Sequence, residues 1–190
     1  MEPIHLQEGP VAVRPLFSQD APLLLRWMTD PRVLAFYGGR DFRFTPEKVQ
    51  EEFYTPEQGV RRCLVEFEGV PVGYIQIYPL DEELCREYHY PYRKEELAFG
   101  IDQFLGEPAL WGKHIGRRFL SLVLRHLTET EGAAAVILDP HANNPRALRC
   151  YQACGFRKIK FLPGHELHEG VWEDCWLMEY RPAKTDKDPP

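Results

Sequence analysis

A change of period near the middle of the chain constrains the fold more than any other feature. Cys63-Leu64-Val65-Glu66-Phe67 and Val72-Gly73-Tyr74-Ile75-Gln76-Ile77-Tyr78 are rich in β-branched and aromatic residues, and Glu68-Gly69 between them suits a tight hairpin turn. Residues 97–104 read as a further strand. Ile115, Phe119, Leu120, Val123, Leu124 and Leu127 then recur at helical spacing. Residues 134–138 read as a short buried strand. Asn144-Pro145 opens a helix that runs to about Cys154, where Gly155 suits its C-cap. Residues 156–161 and 172–180 close the pattern as two strands. Upstream, residues 11–14 read as a first strand. Ser18 is a plausible cap for a helix carrying Leu23, Leu24, Trp27 and Met28, which Asp30-Pro31 ends. Thr45-Pro46-Glu47 starts another helix. The order β, two helices, three strands, helix, strand, helix, two strands predicts a mixed α/β sheet with helices on its faces.

The 190 residues suit one domain, expected over 1–181, with a frayed tail over 182–190. No apolar run approaches the roughly 20 residues of a membrane helix. Met1-Glu2-Pro3-Ile4-His5 lacks the basic-then-apolar pattern of a secretory leader. A cytoplasmic protein without a membrane partner is therefore expected. A net charge of −6 argues against nucleic acid and favours a cationic partner. The five cysteines are scattered and read as reduced. His165-Glu-Leu-His168 offers two metal ligands without a legible third, so no metal is expected.

Two segments carry chemistry. Trp111-Gly112-Lys113-His114-Ile115-Gly116-Arg117-Arg118 stands between a strand and the strongest amphipathic helix. A helix N-terminus offers free N–H groups and a positive dipole end, and glycines let a phosphate approach closely. The second is Asn143-Asn144-Pro145-Arg146-Ala147-Leu148-Arg149-Cys150-Tyr151-Gln152-Ala153-Cys154-Gly155-Phe156. Asn144 either caps the helix or bonds an amide-bearing ligand. Tyr151 is either a core aromatic or a hydroxyl at a site.

In this order the two segments resemble the cofactor motifs of the GCN5-related N-acetyltransferase (GNAT) superfamily. The family usually has glycine where this chain has His114. Phe36-Tyr37-Gly38-Gly39, Gly73-Tyr74-Ile75-Gln76, Gly100-Ile101-Asp102-Gln103, Leu138-Asp139-Pro140 and Arg146-Ala147-Leu148-Arg149-Cys150-Tyr151 are similar to runs of the aminoglycoside 6'-N-acetyltransferases. The resemblance implies a GNAT fold, mostly antiparallel, whose splayed central strands hold acetyl-coenzyme A, with no metal. It implies cofactor contacts from Ile101, Gly112, Lys113, His114, Ile115, Gly116, Arg117, Asn144 and Tyr151. Tyr37, Tyr74, Gln76, Asp102 and Asp139 are the implied substrate residues, although Asp139-Pro140 is equally a common turn. Asp102 would bind and deprotonate an ammonium, and Tyr151 would protonate the leaving thiolate.

Residues 81–96 read as a long loop or lid. Asp81, Glu82, Glu83, Glu87, Glu95 and Glu96 outnumber Arg86, Arg93 and Lys94, with Tyr88, Tyr90 and Tyr92 interleaved. Such a segment suits a polycation with hydroxylated rings, or is simply a solvated loop. The resemblance to the aminoglycoside 6'-N-acetyltransferases implies a small amine of aminoglycoside type as partner, acetylated at its 6'-amine, and a monomer or homodimer. Rival acceptors are a protein N-terminus and a siderophore-type amine. A binder of acetyl-coenzyme A or aminoglycoside without turnover is the non-enzymatic rival.

Overall fold

A computed structural model describes residues 2–183 of the chain. The tail expected over 182–190 lies outside the described residues from residue 184 onward. Among the described residues eight strands are present: β1 (Leu6–Glu8), β2 (Val11–Pro15), β3 (Arg61–Phe67), β4 (Val70–Pro79), β5 (Ala98–Leu105), β6 (Ala135–Leu138), β7 (Arg157–His168) and β8 (Val171–Tyr180). They form one sheet in the order β1-β2-β3-β4-β5-β6-β8-β7. Only β5 and β6 pair in parallel; the other neighbours are antiparallel. The helices are α1 (Ala21–Trp27), α2 (Pro31–Leu34), α3 (Pro46–Tyr54), α4 (Glu82–Glu87), α5 (Ile115–Arg125) and α6 (Pro145–Ala153). No helix among the described residues is long and apolar enough to cross a membrane.

Strand alternation decides which helices cover which face. Cys63, Val65, Ile75 and Ile77 point one way and pack with Phe119, Val123 and Leu127 of the amphipathic stripe. Leu64 and Tyr74 point the other way, onto Leu24, Trp27, Val49 and Phe53 of α1 and α3. A third cluster sets Leu80 and Cys85 around α4 against Ile137, Leu162 and Leu177. Each fully buried Leu, Ile or Phe contributes about 1.5–3 kcal/mol relative to exposure.

Several local expectations change. The first strand is preceded by β1, a three-residue edge strand paired Leu6↔Val13 to Glu8↔Val11. Ser18 opens a 3₁₀ turn, and the carboxylate that closes the turn is Asp20, accepting from Phe17 N at 2.8 Å. Pro31 ends α1 yet begins α2, whose cap Asp30 accepts from Arg32 N at 2.9 Å. Residues 81–96 are not all loop, because Asp81 caps α4 by accepting from Leu84 N at 2.9 Å. The last two strands are longer than expected and meet at Glu169-Gly170, with φ of +52° and +76°. Glu68-Gly69 shows nearly the same pair, +54° and +75°, the left-handed geometry of a two-residue hairpin turn.

Gly106 follows β5 where the chain passes beneath Trp27. A Cβ there would lie 2.1 Å from the indole Cδ2. Trp27 is buried, and its Nε1 donates to Glu107 Oε1 at 2.9 Å. Gly106→Ala is expected to lower stability by about 1–3 kcal/mol through overpacking. A urea titration reads this directly; an unchanged midpoint would mean that Trp27 yields without cost.

Candidate active site

The parallel ladder between β5 and β6 holds for Ala98↔Ala135, Phe99↔Val136 and Gly100↔Ile137, then stops. Beyond it β5 continues to Leu105, paired only with β4. The strands diverge around a cavity of about 820 Å³. Residues 101–105 form one wall and 138–141 another, and the first turns of α5 and α6 complete it. Beyond Gly100 the edge of β5 turned away from β4 has no strand partner, so the polar groups on that edge can serve a ligand.

Asp102 is the best-defined group on that wall. Its cross-strand partner is Gln76, whose Nε2 donates to Oδ2 at 2.6 Å. The Tyr74 hydroxyl donates to Gln76 Oε1 at 3.1 Å and thereby orients the amide. Tyr78 OH donates to Asp102 Oδ1 at 3.4 Å and meets Tyr88 OH at 3.3 Å. Gly100 makes this possible, since a Cβ there would fall 2.1 Å from Tyr78 Cε2. Burial pushes the Asp102 carboxyl up to about 6; the Gln76 and Tyr78 hydrogen bonds oppose the rise, and nearby Asp139 adds to it.

Asp139 and His141 extend the wall past β6. Asp139 Oδ2 lies 3.2 Å from His165 Nε2, and His141 Nε2 lies 2.8 Å from Glu166 Oε2. The paired carboxylates hold both histidines above the ordinary imidazole value. Glu166 also lines the cavity, so three carboxylates from β5, the end of β6 and β7 face one space.

The first turn of α5 supplies the opposite polarity. Gly112, His114, Ile115, Gly116 and Arg117 lie on the wall. His114 takes φ of +62°, a left-handed conformation, and its carbonyl accepts from Arg118 N at 3.2 Å. The loop thus adopts the glycine-like backbone without the glycine. From α6 come Arg146 and Arg149. The Arg146 Cζ sits 3.8 Å from the Trp111 ring centroid. Asn144 Oδ1 accepts from Ala147 N at 3.1 Å, so the capping alternative holds for this oxygen. Tyr151 is 9% exposed, and burial pushes its phenol well above the ordinary value, against the effect of Gln103.

The expected residues therefore divide. Ile101, Asp102, Asp139, Asn144 and Tyr151 share the cavity with the α5 turn, and Tyr37 lines it from the other side. Lys113 is not on its wall. Tyr74 is fully buried between Phe53 and Phe104 and serves by holding Gln76. Gln76 borders a smaller neighbouring cavity of about 340 Å³ that also includes Tyr37 and Glu52. None of the acidic side chains in 81–96 lines the large cavity; Tyr88 does. Three of the six acids are engaged locally: Asp81 as a cap, Glu82 on Arg86, and Glu96 on Arg93 and Arg181. Tyr78, His141 and Glu166 were not among the expected residues. Tyr78 was legible from the two-residue period, since it shares a strand face with Tyr74 and Gln76.

A model of the GNAT acetyltransferase domain matches residues 17–163. Aminoglycoside N(6')-acetyltransferase type 1 of Klebsiella pneumoniae is 26% identical over 154 residues, covering 78% of this chain and 74% of that protein. The N5-hydroxyornithine acetylase sidL of Beauveria bassiana is 28% identical over 144 residues, covering 75% of this chain but 26% of the relative. Among solved structures, AAC(6')-Ib in complex with ribostamycin and coenzyme A superposes with a TM-score of 0.70 at 24% identity, covering 91% and 94% of the two chains.

The Asp102 carboxyl is expected to titrate near pH 6 by NMR, above the ordinary aspartate value. Gln76→Leu removes a bond to the ionised form and should move the midpoint higher still. A midpoint that stays put would detach Gln76 from the carboxylate.

Proposed function

We propose that this chain, which belongs to the GNAT acetyltransferase family, transfers the acetyl group of acetyl-coenzyme A to a primary amine of an aminoglycoside-like polycation. One observation carries the reading: a single cavity is walled by carboxylates on β5, the end of β6 and β7, and by basic residues and a helix N-terminus on α5 and α6. The basic side suits a pyrophosphate, and the acidic side suits ammonium groups. Both the Klebsiella relative and the AAC(6')-Ib complex carry aminoglycoside chemistry in their names.

In this mechanism the unpaired N–H groups of β5 polarise the thioester carbonyl, the kind of preorganised donor that often dominates catalysis. Asp102 holds the acceptor ammonium and takes its proton, directly or through water. A carboxyl raised to about 6 is a better base than an ordinary aspartate, and it remains ionised at neutral pH. Asp139 and Glu166 hold further ammonium groups. Tyr151, on the cavity wall, would serve the leaving sulfur. Its raised pKa makes full proton transfer to a thiolate of ordinary pKa about 8.5 uphill. The neutral hydroxyl therefore stabilises the sulfur by donating a hydrogen bond.

A smaller hydroxylated amine is the second reading, favoured by the 28% identity to the hydroxyornithine acetylase. Release of coenzyme A thiol with a panel of both amine classes separates the two. The first reading expects aminoglycosides to turn over at about 10⁴ M⁻¹s⁻¹ or better. Turnover only with hydroxylated amines would replace it, and cofactor binding without any turnover would leave a binding protein.

Asp102→Asn should lower kcat/KM by roughly 10²–10⁴-fold while sparing acetyl-coenzyme A affinity. For the native chain kcat/KM should rise with pH through about 6, as Asp102 ionises, and the variant should lose that limb. Tyr151→Phe should slow single-turnover chemistry; equal rates would make the tyrosine a packing residue.

A further inference from the structure

Strand register gathers a group of side chains that the acetyl transfer does not need. His141 forms an isolated antiparallel bridge with Cys175 of β8, so the two are cross-strand neighbours. β7 sets Glu166 opposite Glu173, two residues from Cys175 and therefore on the same face. Donor atoms of His141, Glu166 and Cys175 all lie within 4.8 Å of one another. His141 and Cys175 are buried, while Glu166 opens onto the cavity. His168, two residues beyond Glu166, packs its ring edge-on against His141 with centroids 4.9 Å apart. It is 8% exposed, and its Nε2, beyond hydrogen-bond range of any described partner, lies 3.7 Å from Glu169 Oε1. His165 takes no part, because it turns to Asp139.

The His141–Glu166 hydrogen bond alone would be an ordinary polar pair, and Cys175 alone an ordinary core thiol. Thiolate, imidazole and carboxylate together are the donor set of a borderline-soft divalent ion, and one thiolate with one carboxylate neutralise its charge.

We propose that His141, Glu166 and Cys175 bind a zinc-class divalent cation, with a fourth position open to the cavity. Binding opens the His141–Glu166 hydrogen bond, both residues turn to the ion, and the Cys175 thiol releases its proton to solvent. Tetrahedral bonds of about 2.0–2.3 Å leave donors roughly 3.3–3.7 Å apart, so the 2.8 Å His141–Glu166 contact widens while the more distant donors of the group move in. The ion sits beside Asp139 and takes Glu166 away from the acceptor. If the acetyl-transfer reading holds, loading therefore slows turnover and chelation restores it.

The test uses the full tag-free chain, reduced and stripped of metal, titrated with Zn²⁺ by calorimetry and with Co²⁺ by absorption. One equivalent should bind with a Kd of about micromolar or tighter. The Co²⁺ form should show a thiolate-to-metal charge-transfer band. Cys175→Ser should abolish the band, and Glu166→Gln, a change at a half-exposed position, should weaken binding by about tenfold or more. Absence of one-equivalent binding, or unchanged affinity in both variants, overturns the site. These readouts are independent of activity, so failure of the acetyl-transfer reading would leave them intact.

Discussion

Three parallel rungs join β5 to β6, and the ladder ends at Gly100 and Ile137. Continuous pairing would have satisfied every backbone group on both strands and left no interior space. The early end costs those hydrogen bonds and opens the sheet at its centre. Large apolar clusters on both faces make the opening tolerable, because the sheet is clamped between α5 on one side and α1 and α3 on the other. Asp102, Asp139 and Glu166, with the N-terminal turns of α5 and α6, all face that gap.

Within the gap, a run of strand positions does the arranging. Tyr74, Gln76 and Tyr78 alternate along one face of β4, and Asp102 meets two of them across the register. Burial raises the carboxyl, while the two hydrogen bonds hold the rise in check. The same burial raises the Tyr151 phenol. One low-dielectric wall thus favours the neutral form of a carboxyl and of a phenol alike.

Long periodic elements were legible because many residues vote together. The β3–β4 hairpin and the stripe from Ile115 to Leu127 needed no tertiary information. Short elements were not: β1 has three residues, and α4 depends on the single cap Asp81. The Glu169-Gly170 turn carried the same dipeptide as Glu68-Gly69, but the surrounding polar residues hid how far the two closing strands run toward it. Candidate residues on repeated motifs, such as Asp102 and the α5 turn, could be named from the sequence. His141 and Glu166 could not, since their approach depends on how β7 and β8 stack beside β6, a separation of 25 residues closed only by the fold.

His114 shows what a motif records. The position needs a backbone shape, and a left-handed histidine supplies it at a cost of about 1–2 kcal/mol relative to an unstrained residue. The apolar stripe of α5 is deep enough to absorb that cost. The chain therefore carries an unused stability reserve in its first helical turn, open to a single exchange for glycine. At this one position the backbone curve is kept although the side chain that usually permits it is absent.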